Sequence, residues 1–247
     1  MFFKKRVEKH SVEVLGKTYP LTIHTERRNG YRATITSKGI IIRVSTFMSR
    51  ENQFREVEKL KQWAIERIEK DPTRYQDHTK TYTHGDFIKI GEKDYSLHIQ
   101  HKPRRNSAGL IKENTIYLSL AEGLSQREQQ KHISTLLGKC IAIERLPHLE
   151  EKIKLLNGQH FNQDINQIKF KNMTSRWGSC SRQRNINIST RLLFAPTDVL
   201  EYVCIHELAH LIEFNHSDRF WNLVEQAMPT YKEKEKWLKQ QGRTLSF

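Results

Sequence analysis

Cysteine is scarce: the 247 residues hold only Cys140, Cys180 and Cys204, none in C-x-x-C spacing. That argues against a disulfide framework and a cysteine-built structural zinc site, and it fits a reducing compartment. Long apolar runs are missing too. No stretch reaches the ~18 apolar residues of a membrane span. The opening segment MFFKKRVEKHS is basic but has no apolar core and no small-residue cleavage site. A soluble, cytoplasmic protein without membrane association is therefore expected. The sequence also shows no recognised nucleic-acid module and no evident aromatic stacking platform.

Negative charge is in deficit, with 28 Asp and Glu against 42 Lys and Arg, a net +14. The excess is uneven. Residues 1–50 hold 11 basic residues against 3 acids and residues 151–200 hold 8 against 3, whereas residues 201–247 hold 6 against 7. Arg27-Arg28, Arg104-Arg105 and the series Arg176, Arg182, Arg184, Arg191 are candidates for a basic rim that attracts an anion. The alternative is a solvated surface, the preferred reading for the C-terminal KEKEKWLKQQGR run. Weak nucleic-acid binding is a lesser expectation.

The most informative segment is HELAHLIEFNH, His206 to His216. A helix is expected from near Pro196, since proline suits the first turn and Asp198 meets the positive end of the helix dipole. Val199, Tyr202, Val203, Ile205, Leu208, Leu211 and Ile212 give that helix a wide apolar surface. At ~100° per residue, His206 and His210 share a face, and Glu207 lies about a quarter-turn aside. Such an arrangement holds a divalent metal and leaves the glutamate to act on a bound water. The competing reading is two core histidines satisfied by hydrogen bonds, with Glu207 as a buried partner.

A catalytic zinc takes three protein ligands and keeps a fourth position open. His216 is the best third ligand, and Glu213 and Asp218 are weaker candidates. A continuous helix would carry His216 about 9 Å past His210, so a turn is required. Asn215 tolerates the left-handed conformation that would supply it. Ser217 or Asp218 then caps the next helix. Glu213 is expected either beside a ligand or toward solvent. Cys180 is disfavoured as ligand or nucleophile, because a thiolate would close the position that catalysis needs.

RWGSCS, Arg176 to Ser181, lies between an expected strand at Ile165 to Lys171 and another carrying Ile186 and Ile188. It reads as a loop near the metal helix. Gly178 permits a tight path, Trp177 wedges against the core, and Arg176 either meets a substrate oxygen or pairs with a local acid. Arg176, Trp177, Gly178 and Ser179 are the candidate substrate-binding residues.

Upstream, the chain repeats itself with a period near 76 residues. VEVLGKTYPLTIH, RRNG and GIIIRVS, then a helix from Ser49, are echoed by IKIGEKDYSLHIQ, RRNS and TIYLSL, then a helix from Ser125. Each unit reads as two or three strands followed by a helix, and Ser125 to Glu128 has capping-box form. Three segments are expected: two β-plus-helix units at 1–80 and 81–160, and a metal-binding domain at 161–247. Trp63 is expected to pack, and His78 and His84 to be exposed loop residues.

RWGSCS, YVCIHELAHLIEFNHSDRFW (Tyr202 to Trp221) and MPTYKEKEKWL (Met228 to Leu238), in this order, resemble the YgjP-like group of predicted zinc metallopeptidases, and more distantly the SprT and WLM peptidases. The resemblance is strong over about 161–247 and looser upstream. It implies an α+β, zincin-like fold, one Zn2+ on His206, His210 and His216, and Glu207 as general base, with other divalent metals left open. The spacing also matches metzincins, but Glu213 stands at their glycine position and no Met-turn follows, so that assignment is rejected. The expected partner is a peptide or protein substrate. An anionic nucleotide, cleaved at a phosphoanhydride by the same site, is the alternative motivated by the positive charge, and a SprT-like DNA-associated protein is the lesser alternative implied by the distant resemblance.

Overall fold

The computed structural model describes residues 5–75 and 80–247. His78 lies outside them. Contacts group the chain into two compact units, Met1–His78 and Thr79–Phe247, and its secondary structure is mixed α+β.

In the first unit, β1 (Arg6–Val14), β2 (Lys17–Glu26), β3 (Arg32–Thr36) and β4 (Gly39–Ser45) form a sheet of order β1-β2-β4-β3. The β2–β4 pair is parallel and the outer pairs are antiparallel. Period-two alternation sends Val12, Val14, Tyr19, Leu21, Ile40, Ile42 and Val44 to one face. There they meet Val57, Ala64 and Ile68 of α1 (Arg50–Lys70), whose N-cap Ser49 Oγ accepts from the Asn52 amide at 3.2 Å. Gly39 is the position only glycine can fill. Its φ is +130°, and a Cβ would fall onto the Pro20 carbonyl. Trp63 is 40% exposed with Arg67 5.8 Å from its ring, so it covers the helix surface instead of packing in the core.

The second unit begins with β5 (Phe87–Ile90), β6 (Lys93–Lys102), β7 (Ala108–Lys112) and β8 (Thr115–Ala121), in order β5-β6-β8-β7. Its registers match those of the first sheet at an offset of 76. Leu21 opposite Ile40 is matched by Leu97 opposite Ile116, and Arg32 opposite Arg43 by Ala108 opposite Ser119. Each sheet has four strands, not two or three. The five-residue β3 and β7 follow turn-rich segments and show little alternation in sequence. His84 is exposed, and its Nδ1 accepts from the Ile99 amide at 3.1 Å.

Next comes α2 (Gln126–His160), opened by a complete capping box between Ser125 and Glu128. Before Pro147, its Ile133, Leu137 and Ile141 pack on the second sheet. Beyond Pro147, its Leu149, Ile153 and Leu156 enter a different core with α3. One helix thus serves two cores, which is why the contacts do not divide residues 79–247 near residue 160.

The remaining elements are β9 (Gln167–Lys171), β10 (Gly178–Cys180), β11 (Asn185–Ser189), α3 (Thr197–Ala209), α4 (Asp218–Ala227) and α5 (Tyr231–Gln241). The three strands run in order β10-β11-β9. RWGSCS is therefore only partly a loop, because Gly178 to Cys180 pair antiparallel with Ile188 to Ile186. Among the described residues, no helix is long and apolar enough to cross a membrane.

Candidate metal centre

Pro196 is the N-cap of α3 rather than its first residue, and the helix ends with His210 at its C-cap. Amides of Leu211, Ile212 and Glu213 fold back onto carbonyls of Leu208 and Ala209, so the chain turns within three residues. Asn215 is not the left-handed residue expected, as no residue between 210 and 217 has positive φ. Ser217 then caps α4, its Oγ accepting from the Phe220 amide at 3.4 Å.

This turn returns His216 to the helix. One ring nitrogen from each of His206, His210 and His216 lies within 4.8 Å of the others, and the Nε2 atoms of His206 and His216 are 3.1 Å apart. Ligands 2.0–2.1 Å from a tetrahedral ion stand about 3.3 Å apart, so the spacing fits a shared divalent cation. The His210 Nδ1 donates to the Glu213 carbonyl at 3.0 Å, which leaves Nε2 with its lone pair. Glu213 thus contributes through its backbone, while its carboxylate accepts from the Asn215 amide at 3.4 Å.

Burial favours the neutral form of His206 and His210. His206 is pushed down to about 3, first by desolvation and then by the neighbouring His210 and His216. His210 is lowered for the same first reason. Phe220, fully buried, packs against all three rings at 4.5 to 4.8 Å between centroids.

Glu207 is 5% exposed. Desolvation pushes its carboxyl up to about 8, against the opposing pull of Arg176 and a hydrogen bond from the Cys180 amide. Its Oε2 is buried with no partner among the described residues. The approach of β10 depends on Gly178, since a Cβ there would lie 2.6 Å from the Glu207 Cγ and closer still to Oε1. The need for glycine is therefore clearance for a carboxylate rather than a tight turn.

A cavity of about 580 Å³ opens over this group. It is lined by all four candidate substrate-binding residues, together with Tyr202, Val203, Phe214, Glu235, Leu238 and Lys239, which sequence reasoning missed. Tyr202 and Val203 had only an apolar helix face to announce them. Glu235 and Lys239 form a 2.7 Å i,i+4 pair that looks like any solvated surface pair. Trp177 is wedged as expected, with the Arg191 guanidinium 4.1 Å over its ring and Gly242 against its edge. The Ser179 Oγ accepts from Asn187 Nδ2 at 3.1 Å.

The Arg176 to Arg191 series of the proposed basic rim does not assemble around this cavity. Arg191 spends its donors on the carbonyls of Thr174, Gly242 and Leu245, and Arg184 pairs with Asp164 at 3.0 Å. Of the four arginines in the series, only Arg176 lines the cavity. It is exposed there.

Residues 29–241 match the family model described as the YgjP-like metallopeptidase domain. The chain belongs to the YgjP-like family. No curated protein matches it. Among solved structures, the metallopeptidase zymogen of Pyrococcus abyssi abylysin is similar at 25% identity and a TM-score of 0.35, over 37% of this chain and 94% of that one. The metallopeptidase zymogen of Methanocaldococcus jannaschii jannalysin gives 21%, 0.33, 37% and 93%. This YgjP-like domain thus brings together a three-histidine cluster, a buried glutamate and a lined cavity, in a family of metal-dependent peptidases.

Proposed function

We propose that this chain is a zincin-like, zinc-dependent metallopeptidase, with His206, His210 and His216 as metal ligands and Glu207 as general base. The observation that carries this reading is the unpartnered Oε2 of a buried Glu207, beside the three imidazoles and at the wall of the cavity. An all-imidazole set suits zinc, which when bound acidifies a water and polarises the scissile carbonyl. Glu207, held at one oxygen by the Cys180 amide, takes the proton from the attacking water and returns it to the leaving amine. Arg176 supplies a cation where negative charge develops on the carbonyl oxygen.

Strand β10 favours a peptide substrate. Trp177, Ser179 and Ser181 face β11, so the backbone groups of Gly178 and Cys180 point toward the opposite edge, where the Cys180 amide holds Glu207 and no further strand pairs among the described residues. An extended peptide can add to that edge while Trp177 and Leu238 receive its side chains. Phosphoanhydride hydrolysis is the weaker reading, because it needs several cations and Arg176 is the only one of its series at the cavity. The matching registers of the two four-stranded sheets support residues 1–80 and 81–160 as copies of one ancestral unit joined to the metal segment 161–247. Three free cysteines fit a cytoplasmic setting.

The test compares metal content and peptide hydrolysis in wild type and variants. Glu207→Gln is expected to lower hydrolysis about 10²–10⁴-fold while keeping the metal. Full activity in that variant would remove the base assignment. His210→Ala and His216→Ala are expected to lose metal, and unchanged metal content in both would defeat the ligand set.

A further inference from the structure

We propose that the open face of the first sheet, with the loop from Glu26 to Arg32, is a binding surface for single-stranded nucleic acid. Arg32 and Arg43 lie on this face, and Arg27 and Arg28 lie in its loop. α1 carries 6 basic and 5 acidic residues and is nearly neutral, whereas residues 1–49 carry 10 against 3. α1 covers the opposite face, where the apolar residues converge.

The pair registers line up the cations. Residue 24 of β2 stands beside residue 43 of β4, which stands opposite residue 32 of β3, so His24, Arg43 and Arg32 form one row across the sheet. Like charges directly opposite on paired strands are destabilising. Glu26 offsets this only in part: it is 3.6 Å from both Arg28 and Arg43, while Arg27 and Arg32 have no carboxylate partner among the described residues. Four arginines around one acid make a surface that a polyanion relieves.

Stackable groups lie among these cations. Tyr31 is 50% exposed in the same loop, and Phe47 is 57% exposed with Arg27 5.8 Å from its ring. The loop is held in place, because Ser45 Oγ donates to the Arg28 carbonyl at 2.6 Å and the Thr46 amide donates to the Glu26 carbonyl at 3.1 Å. Cations that follow a phosphate backbone, with aromatics that stack on any base, are the composition of a single-strand site and not of a duplex site. Tyr31 and Phe47 stand 16 positions apart, so no stacking platform was evident in sequence.

The experiment uses the full chain and a labelled 12-nucleotide oligouridylate or oligothymidylate, titrated at several salt concentrations. With four contacts, the logarithm of the binding constant is expected to fall with log salt at a slope of roughly −3. Arg32→Gln with Arg43→Gln should reduce that slope by about 1.4. Tyr31→Ala should weaken binding roughly 5-fold or more at constant slope. Glu207→Gln should bind like wild type, which separates this surface from the metal centre. No binding at low salt, equal affinity in the arginine and tyrosine variants, or preference for duplex or for anionic phospholipid vesicles would each overturn the proposal.

Discussion

The two four-stranded sheets share strand order and register, yet their open faces differ in chemistry. Where the first carries His24, Arg43 and Arg32, the second carries Gln100, Ser119 and Ala108. The second row is neutral and self-satisfied, with Gln100 Nε2 donating to Ser119 Oγ at 3.2 Å. Tyr31 and Phe47 correspond, 76 positions on, to Ser107 and Gly123. The inward positions remain apolar in both sheets, because removing a buried methylene costs stability and changing an outward residue usually does not. The helices differ as well: α1 has 21 residues and stops on its sheet, whereas α2 has 35 and continues past Pro147 into the core beneath the metal centre. One architecture thus leaves an exposed cationic face in one case and supports the segment with the three-histidine cluster in the other.

The sharpest way to probe what the second unit gained is Gly178→Ala. The added Cβ has no room beside Glu207, and if Glu207 is the proposed base, displacing it by about 1 Å can cost ~100-fold in rate. Peptide hydrolysis should fall by about that factor with metal content unchanged. Near-normal turnover would mean that Glu207 can move aside without consequence.

A paired core truncation separates the two helices. Ile68→Ala in α1 and Ile153→Ala in α2 each remove a fully buried side chain and should cost about 2–5 kcal/mol. Ile153→Ala should also speed metal loss to a chelator, as measured by metal analysis, whereas Ile68→Ala should not. Equal metal loss in both would erase the functional distinction.

The metal-free protein offers a pH test specific to the second unit. The carboxyl of Glu207 binds its proton more tightly when folded, at about 8, than a free glutamate does at 4.5. Its contribution to stability is therefore present below pH 4.5 and lost as pH rises through 8. His206, lowered to about 3, acts in the opposite direction as pH falls below 6.5, and it is common to wild type and variant. In urea melts after chelation, the stability of wild type relative to Glu207→Gln should decline between pH 4.5 and 8 and level off above. A flat difference would show that the carboxylate is solvated.

The smallest effect tests whether the cationic row alone distinguishes the sheets. Ser119→Arg with Ala108→Arg should transplant it, strengthening oligonucleotide binding at low salt by a few-fold, roughly as expected for two added phosphate contacts. No gain would mean that the arginines act only together with Tyr31 and Phe47.

Local order was the legible part of the sequence. His206 and His210 are four apart on one helix, and that spacing predicts a shared face from helix geometry alone. The Ser125 capping box and the 76-residue repeat are likewise properties of neighbours and of pattern. Strands β3, β7 and β10 were less legible, since three to five residues carry too few alternations to declare a period. The turn to His216 was anticipated because a straight helix cannot deliver that residue, but its hydrogen bonding, rather than a left-handed Asn215, accomplishes it.

By itself, the sequence determined the helix with its two histidines and glutamate, the inward apolar faces of both sheets and the excess of positive charge. Only the tertiary structure decided where these features act. It set Gly178 against Glu207, aimed the Cys180 amide at that carboxylate, committed Arg191 to three backbone carbonyls, and brought Glu235 and Lys239 to the cavity. It also aligned Arg32 with Arg43 across two strands. The physical reason is reach: spacing along one element follows from backbone geometry, whereas these contacts join residues of different elements and exist only once the cores have closed.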